Sequence, residues 1–267
     1  LNTRLRGWEA NMNRESGTVL ITGATSGIGR ELLGIYHAQG FNVIAHGRSE
    51  VKLHDLKDHY PGVQTVCADL AHPASVDAMM ADILRDVPRL DLVINNAAVQ
   101  ERGVLTDVEF SASLADREIA INLQAPIRIC HAVIKGWTEQ GHTGTSQRTG
   151  VWSRIVNVSS GLAFFPKTGS AIYCASKAAL HSFSQSLRYQ LVAADLPIAI
   201  SEVFLPVVDT PMTASRDIAK IPAQQAALAI HDGILAGQDE IYVGKARLIP
   251  VVTRLSPSLM KSILRKG

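Results

Sequence analysis

Two sets of residues in this chain have the types and spacing to do chemistry. The first is a phenol and an amine, Tyr173 and Lys177, within the mostly apolar stretch AIYCASKAAL from Ala171 to Leu180. On a helix, residues four apart sit one above the other, so the two side chains are neighbours if this stretch is helical. A free tyrosine titrates at about 10, and bringing it to about 7 takes roughly 4 kcal/mol. A cation one turn away pushes in that direction by favouring the phenolate. Such a pair either snorkels at the surface or acts together to move a proton. The second set is TGATSGIG, Thr22 to Gly29. Glycines let a backbone come close to a pyrophosphate, and a following helix N-terminus meets its charge. The spacing is GxxxGxG, not GxGxxG, so the turn taken alone reads equally well as a plain tight turn.

The surrounding elements decide between these readings. Thr18–Ile21 is a short apolar run ending at Thr-Gly, a buried strand, and 26–39 reads as a helix stopped by Gly40. Further strands are expected at 41–46, 63–68, 90–94, 154–159, 197–204 and 241–243, and helices at 51–60, 73–87, 108–138 and 172–194. Loop plus helix should cover 210–237, with a helical tail at 246–267. The stretch 141–153 is rich in Gly, Thr and Ser and reads as an exposed loop. Val/Ile-rich strands alternating with helices predict an α/β fold. It is a single-domain, Rossmann-like, doubly wound parallel sheet of about seven strands with helices on both faces. Residues 1–16 read as an N-terminal extension of disordered character, with Met12 as an alternative start. Residues 17–267 form one domain carrying a substrate loop and helix at 208–237.

The glycine turn thus lies between a strand and a helix, where open α/β sheets bind ligands. After the second strand, dinucleotide enzymes often place an acid against the ribose 2′-hydroxyl. Here the chain reads His46-Gly47-Arg48-Ser49, with no acid before Glu50. An arginine suits a 2′-phosphate, which favours NADP(H) over NAD(H).

Composition narrows the classes further. The 267 residues are 46% hydrophobic, enough for a substantial core. Net charge is +2 without a long basic run, and aromatics are 5%, so no nucleic-acid partner is expected. The three cysteines, Cys67, Cys130 and Cys174, form no CxxC, which argues for reduced thiols in a cytoplasmic protein. The nine histidines show no HExxH spacing, and no metal is expected. No apolar run reaches membrane-spanning length, so no integral membrane segment is expected.

Taken together, TGATSGIG, NNAA at Asn95–Ala98, Asn122, Ser159-Ser160 and YCASK at Tyr173–Lys177 resemble the short-chain dehydrogenase/reductase family, in its single-domain branch. The resemblance runs from Thr18 to about Val243. It implies catalytic roles for Ser160, Tyr173, Lys177 and Asn122. Ser160 is preferred to Ser159 because the family's serine lies about thirteen residues before its tyrosine. Cofactor-binding roles are implied for Gly23, Thr25, Ser26, Gly27, Ile28, Gly29, Arg48, Asp69, Leu70, Asn95, Asn96 and Ala97, for Tyr173 and Lys177, and for Val208 and Thr210. Two departures stand out. Ala98 takes a position that is usually glycine, and Pro206-Val207 stands where Pro-Gly is usual.

What the resemblance implies chemically is hydride transfer between a nicotinamide and a ketone or aldehyde, with Tyr173 as general acid in reduction and base in oxidation. Lys177 would lower the tyrosine pKa and hold the ribose. Ser160 would donate to the developing oxyanion, and Asn122 would anchor a water linking Lys177 to solvent. The alternatives are a catalytically silent nucleotide sensor, or a family enzyme performing epimerisation or dehydration. The substrate is expected to be a small carbonyl or alcohol, held by loops at 99–106, 161–171 and 208–221. Phe164, Phe165, Pro166 and Met212 there suggest an apolar pocket. Members of the family are commonly homodimers or homotetramers, so an oligomer is expected.

Overall fold

The computed structural model describes residues 17–101, 104–108, 110–141 and 153–255. The proposed N-terminal extension, most of the 141–153 loop and the end of the tail lie outside the described residues. The first strand, β1 (Thr18–Ile21), alternates its side chains between two cores: Val19 and Ile21 enter one, Leu20 the other. Burial on both faces is what a near-continuous apolar run provides.

The chain continues through α1 (Gly27–Ala38), β2 (Asn42–Gly47), α2 (Glu50–His59), β3 (Gln64–Cys67), α3 (Pro73–Asp86) and β4 (Leu92–Asn95). Then come α4 (Ala112–Ile119), α5 (Ala125–Glu139), β5 (Arg154–Ser160), α6 (Ala171–Ala193) and β6 (Ala199–Leu205). The C-terminal part holds β7 (Val208–Asp209), β8 (Ile221–Pro222), α7 (Ala223–Leu235), β9 (Glu240–Tyr242) and α8 (Ile249–Leu255).

Seven strands form one sheet in the order β3-β2-β1-β4-β5-β6-β9, and every pairing in it is parallel. Helices α1, α2 and α7 supply Leu32, Leu56 and Ile230 to the core on one face. Helices α3, α5 and α6 supply Met80, Val133 and Leu187 to the other. The chain order reverses between β1 and β4, whose carboxyl ends therefore open the crevice in which such sheets bind ligands.

Two expectations need correction. The helical stretch expected over 108–138 begins only at Ala112 and is interrupted by a π-helical turn over Ala120–Gln124. Pro126 sits in the first turn of α5. It has no N–H to give the Asn122 carbonyl four residues earlier, so the regular ladder cannot run through this point. In addition, β7 and β8 pair with each other in a separate two-stranded sheet. Two-residue strands carry no periodicity, so the sequence left them within a loop.

Candidate active site

Thr22 laces the two strand ends together. Its hydroxyl donates to the Ile94 carbonyl at 3.2 Å and accepts from the Asn96 and Ala97 N–H groups at 3.0 Å. Asn96 returns its side-chain amide to the Thr22 carbonyl at 2.9 Å. The glycines between these strands have no room for a side chain. Gly23 has φ of 67°, and a Cβ there would lie 2.9 Å from the Ala97 Cα. A Cβ on Gly29 would lie 2.2 Å from the Gly23 carbonyl oxygen. Gly29 thus lets α1 pack against the turn from behind and does not itself line the cleft. Gly23, Thr25, Ser26, Gly27 and Ile28 do line it, as do Asn96 and Ala97.

The sequence reading passed over a second support. His46, buried at the end of β2, accepts the Gly23 N–H on Nδ1 at 3.2 Å. Its Nε2 lies 3.1 Å from the Ala68 carbonyl. A backbone N–H only donates and a carbonyl only accepts, so the ring is neutral with its proton on Nε2. Burial holds its pKa below the usual histidine value. The ring therefore ties the glycine turn to the end of β3, where Asp69 and Leu70 line the same cleft. Arg48 lies there too, exposed and, among the described residues, without a carboxylate partner.

Asn95 faces elsewhere. It is buried, and its amide donates to Asn157 Oδ1 at 2.9 Å. This bond joins β4 to β5.

At the other end of the cleft stand Ser160, the last residue of β5, and Tyr173 and Lys177 on α6. The Ser160 hydroxyl accepts from the Leu162 N–H at 3.2 Å and acts on the Tyr173 phenol, lowering its pKa. Lys177 is 2% exposed, with Nζ 5.7 Å from the Tyr173 ring centre, and it donates to the Val158 carbonyl at 2.8 Å.

The electrostatics depart from the expectation of a phenol acidified by its lysine. Burial pushes Tyr173 up to about 12, opposed by the Ser160 hydroxyl and the Arg216 guanidinium. Burial also brings Lys177 down to about 8, with Glu202 and Glu118 opposing the fall. Desolvation disfavours both charged forms, and it outweighs a lysine whose ammonium is already spent on a carbonyl.

Asn122 does not line the cleft. Its side chain brackets Val99, accepting from the N–H at 2.9 Å and donating to the carbonyl at 2.8 Å. The same amide also donates to the Ser176 hydroxyl at 3.3 Å. Four residues earlier, Glu118 is 2% exposed and its Oε1 has no partner among the described residues. Burial raises its carboxyl to about 7. The sequence held a signal for this residue, an acid on the helix face that carries Asn122, but it was not read.

Val208 and Thr210 both line the cleft, and so do Leu205, Pro206 and Val207. The substituted Pro-Val pair is thus part of the wall. Thr210 caps the short 3-10 turn Pro211–Thr213, with Thr213 bonding back to it. The aromatic pocket does not form as expected. Phe165 is buried with Phe204, Ala246 and Ile249, and Phe164 packs on His181 and Phe204. The walls near Tyr173 are instead Leu162, Met212, Gln100 and Arg216.

The cleft encloses about 440 Å³, within the range of cofactor and ligand sites. Its glycine cradle, held open where any Cβ would collide, fits a pyrophosphate. A doubly wound parallel sheet, a glycine turn at its switch point and a Ser–Tyr–Lys group on the cleft wall define a class, the dinucleotide-dependent oxidoreductases. The comparisons agree. The family model described as short chain dehydrogenase matches residues 17–220. The uncharacterized oxidoreductase DltE of Bacillus subtilis is 33% identical over 241 residues, covering 86% of this chain and 89% of that protein. L-xylulose reductase of Bos taurus is 34% identical over 193 residues, covering 72% of each. Among solved structures, a short-chain dehydrogenase from Burkholderia cenocepacia in complex with NADP superposes with a TM-score of 0.79 at 24% identity, covering 94% of this chain and 98% of that one. One from Sphingobium yanoikuyae in complex with NADPH gives a TM-score of 0.72 at 26% identity, covering 94% and 97%. The chain belongs to the short-chain dehydrogenase family and is an oxidoreductase of that family. No helix among the described residues is long and apolar enough to cross a membrane.

Proposed function

We propose that this protein is an NADPH-dependent carbonyl reductase that interconverts a ketone or aldehyde with an alcohol. The observation that carries the reading is the placing of Ser160 and Tyr173 on the wall of the glycine-turn cleft, with Lys177 one helical turn beyond the tyrosine. Bound NADPH supplies the hydride for the carbonyl carbon. Tyr173, neutral at physiological pH, is in the right state to donate its proton to the carbonyl oxygen. Ser160 donates a hydrogen bond to that oxygen as charge develops. Lys177 holds the ribose and leads the replacement proton toward Tyr173. The Asn122 carbonyl, which Pro126 leaves without its helical donor, anchors the water on that route; the side chain, engaged with Val99, only orients the loop. Gly23 to Ile28 would hold the pyrophosphate, and Val208 and Thr210 the carboxamide.

Arg48 favours NADP(H), because its guanidinium suits a 2′-phosphate; the Asp69 carboxylate suits the adenine amine, which both cofactors carry. Further support comes from solved family members in complex with NADP and NADPH, though another is in complex with NAD. The test is the loss of NADPH absorbance over a panel of ketones and aldehydes, repeated with NADH. Turnover with NADPH and weaker turnover with NADH are expected. Tight NADPH binding without oxidation across the panel would instead mark a nucleotide sensor.

A further inference from the structure

The cleft contains four cations, and two have an evident engagement. Lys177 is buried against the Val158 carbonyl. Arg117 pairs with Glu101 at 2.8 Å. Arg48 is exposed, directly after β2. Arg216 is different. It sits on the segment between β7 and β8 and lines the cleft. Among the described residues no carboxylate lies within ion-pair distance of it, and nearby Lys220 has taken Asp209 at 3.6 Å.

What Arg216 does touch is neutral: its Nη2 donates to Oε1 of Gln100 across the cleft. Gln100 is fixed in turn by donating from Nε2 to the Ser170 hydroxyl at 2.7 Å, at the start of the catalytic helix α6. This bridge holds a guanidinium on the cleft wall with, among the described residues, no carboxylate to neutralise it. Its field reaches the reacting group, since the Arg216 charge is one of the influences lowering the Tyr173 phenol. Leu162 and Met212 supply apolar surface alongside.

We infer that Arg216 recognises an anionic group on the substrate, so that the physiological carbonyl compound is a keto acid whose carboxylate lies close to the carbonyl reduced. A guanidinium offers two parallel N–H donors that match a carboxylate. Gln100 keeps the arginine in place before the substrate arrives, which reduces the ordering cost of binding. This inference rests on the carbonyl-reductase reading and specifies its substrate class.

The experiment compares keto acids with their own methyl esters, using NADPH. The pairs are pyruvate, acetoacetate and levulinate with methyl pyruvate, methyl acetoacetate and methyl levulinate, which place the carboxylate at increasing distance from the ketone. At least one acid should exceed its ester in kcat/KM by about 10-fold, the value of a charge-assisted contact. Arg216→Gln should bring that ratio to about one while the NADPH Kd stays at the wild-type value, and Arg216→Lys should keep part of the preference. Lys220→Gln removes a nearby charge outside the cleft and should leave the ratio unchanged. Esters reduced as well as, or better than, their acids in every pair would overturn the inference and leave the reductase reading intact. So would an Arg216→Gln variant that loses NADPH affinity and keeps the ratio, because the arginine would then serve the cofactor. No oxidation of NADPH by any carbonyl compound would overturn both.

Discussion

Tyr173 and Lys177 are each driven toward neutrality by the same burial, and this sets the pH behaviour of the site. Replacing the tyrosine by phenylalanine removes only the proton donor. Tyr173→Phe should lower kcat by about 1,000-fold and leave the NADPH Kd nearly unchanged by fluorescence titration. Wild-type rate in the variant would refute the assignment. With Lys177 near 8, reduction should slow as pH rises through about 8, where the ammonium that holds the ribose is lost; a kcat/KM profile over pH 6–10 checks this. Glu118 makes a separate prediction about stability. Its folded value of about 7 lies above the ordinary 4.5, so the fold favours the protonated carboxyl. Its contribution is fully present below about 4.5 and is lost as pH rises through about 7, amounting to about 3 kcal/mol. Glu118→Gln cannot ionise, so urea melts should show it gaining stability over wild type between pH 4 and 8.

Elements place these residues through contacts that a linear reading sees only in part. The glycine spacing was legible because strand, turn and helix follow one another in the chain. What it did not reveal is that Gly29 serves packing, with the Gly23 carbonyl 2.2 Å from where its Cβ would be. Gly29→Ala must push α1 off the turn at about 1–3 kcal/mol, lowering Tm by roughly 3–10 °C, and it should weaken NADPH binding as the turn shifts. An unchanged Tm would show that α1 can move without cost. The π turn was partly legible for the same local reason: Pro126 lies four residues after Asn122, and that spacing alone forbids the regular hydrogen bond. Asn122 was assigned correctly to a helix, yet its partner Val99 is 23 residues away, and no local pattern specifies that contact.

At the scale of the whole molecule, a cofactor that binds only the folded chain stabilises all of it. NADPH at 100 times its Kd should add about 2.7 kcal/mol, seen as a rise in Tm larger than that from NADH at equal concentration. Arg48→Ala should erase the difference, weakening NADPH by about 10–100-fold with little effect on NADH. Equal losses for both cofactors would show that Arg48 does not read the 2′-phosphate. The sequence by itself determined the alternation of strands and helices, the glycine turn, the Tyr–Lys pair and the missing acid at Arg48, because each is written in neighbouring residues and their periodicity. Only the tertiary structure decided that Phe164 and Phe165 turn into a core beside Phe204, that Asn95 binds Asn157 and not the cleft, and that Arg216 reaches Gln100 from 116 residues away. It also decided how strongly burial opposes acidification of Tyr173, since desolvation depends on how much of the whole chain surrounds a group and not on the residue one turn along the helix.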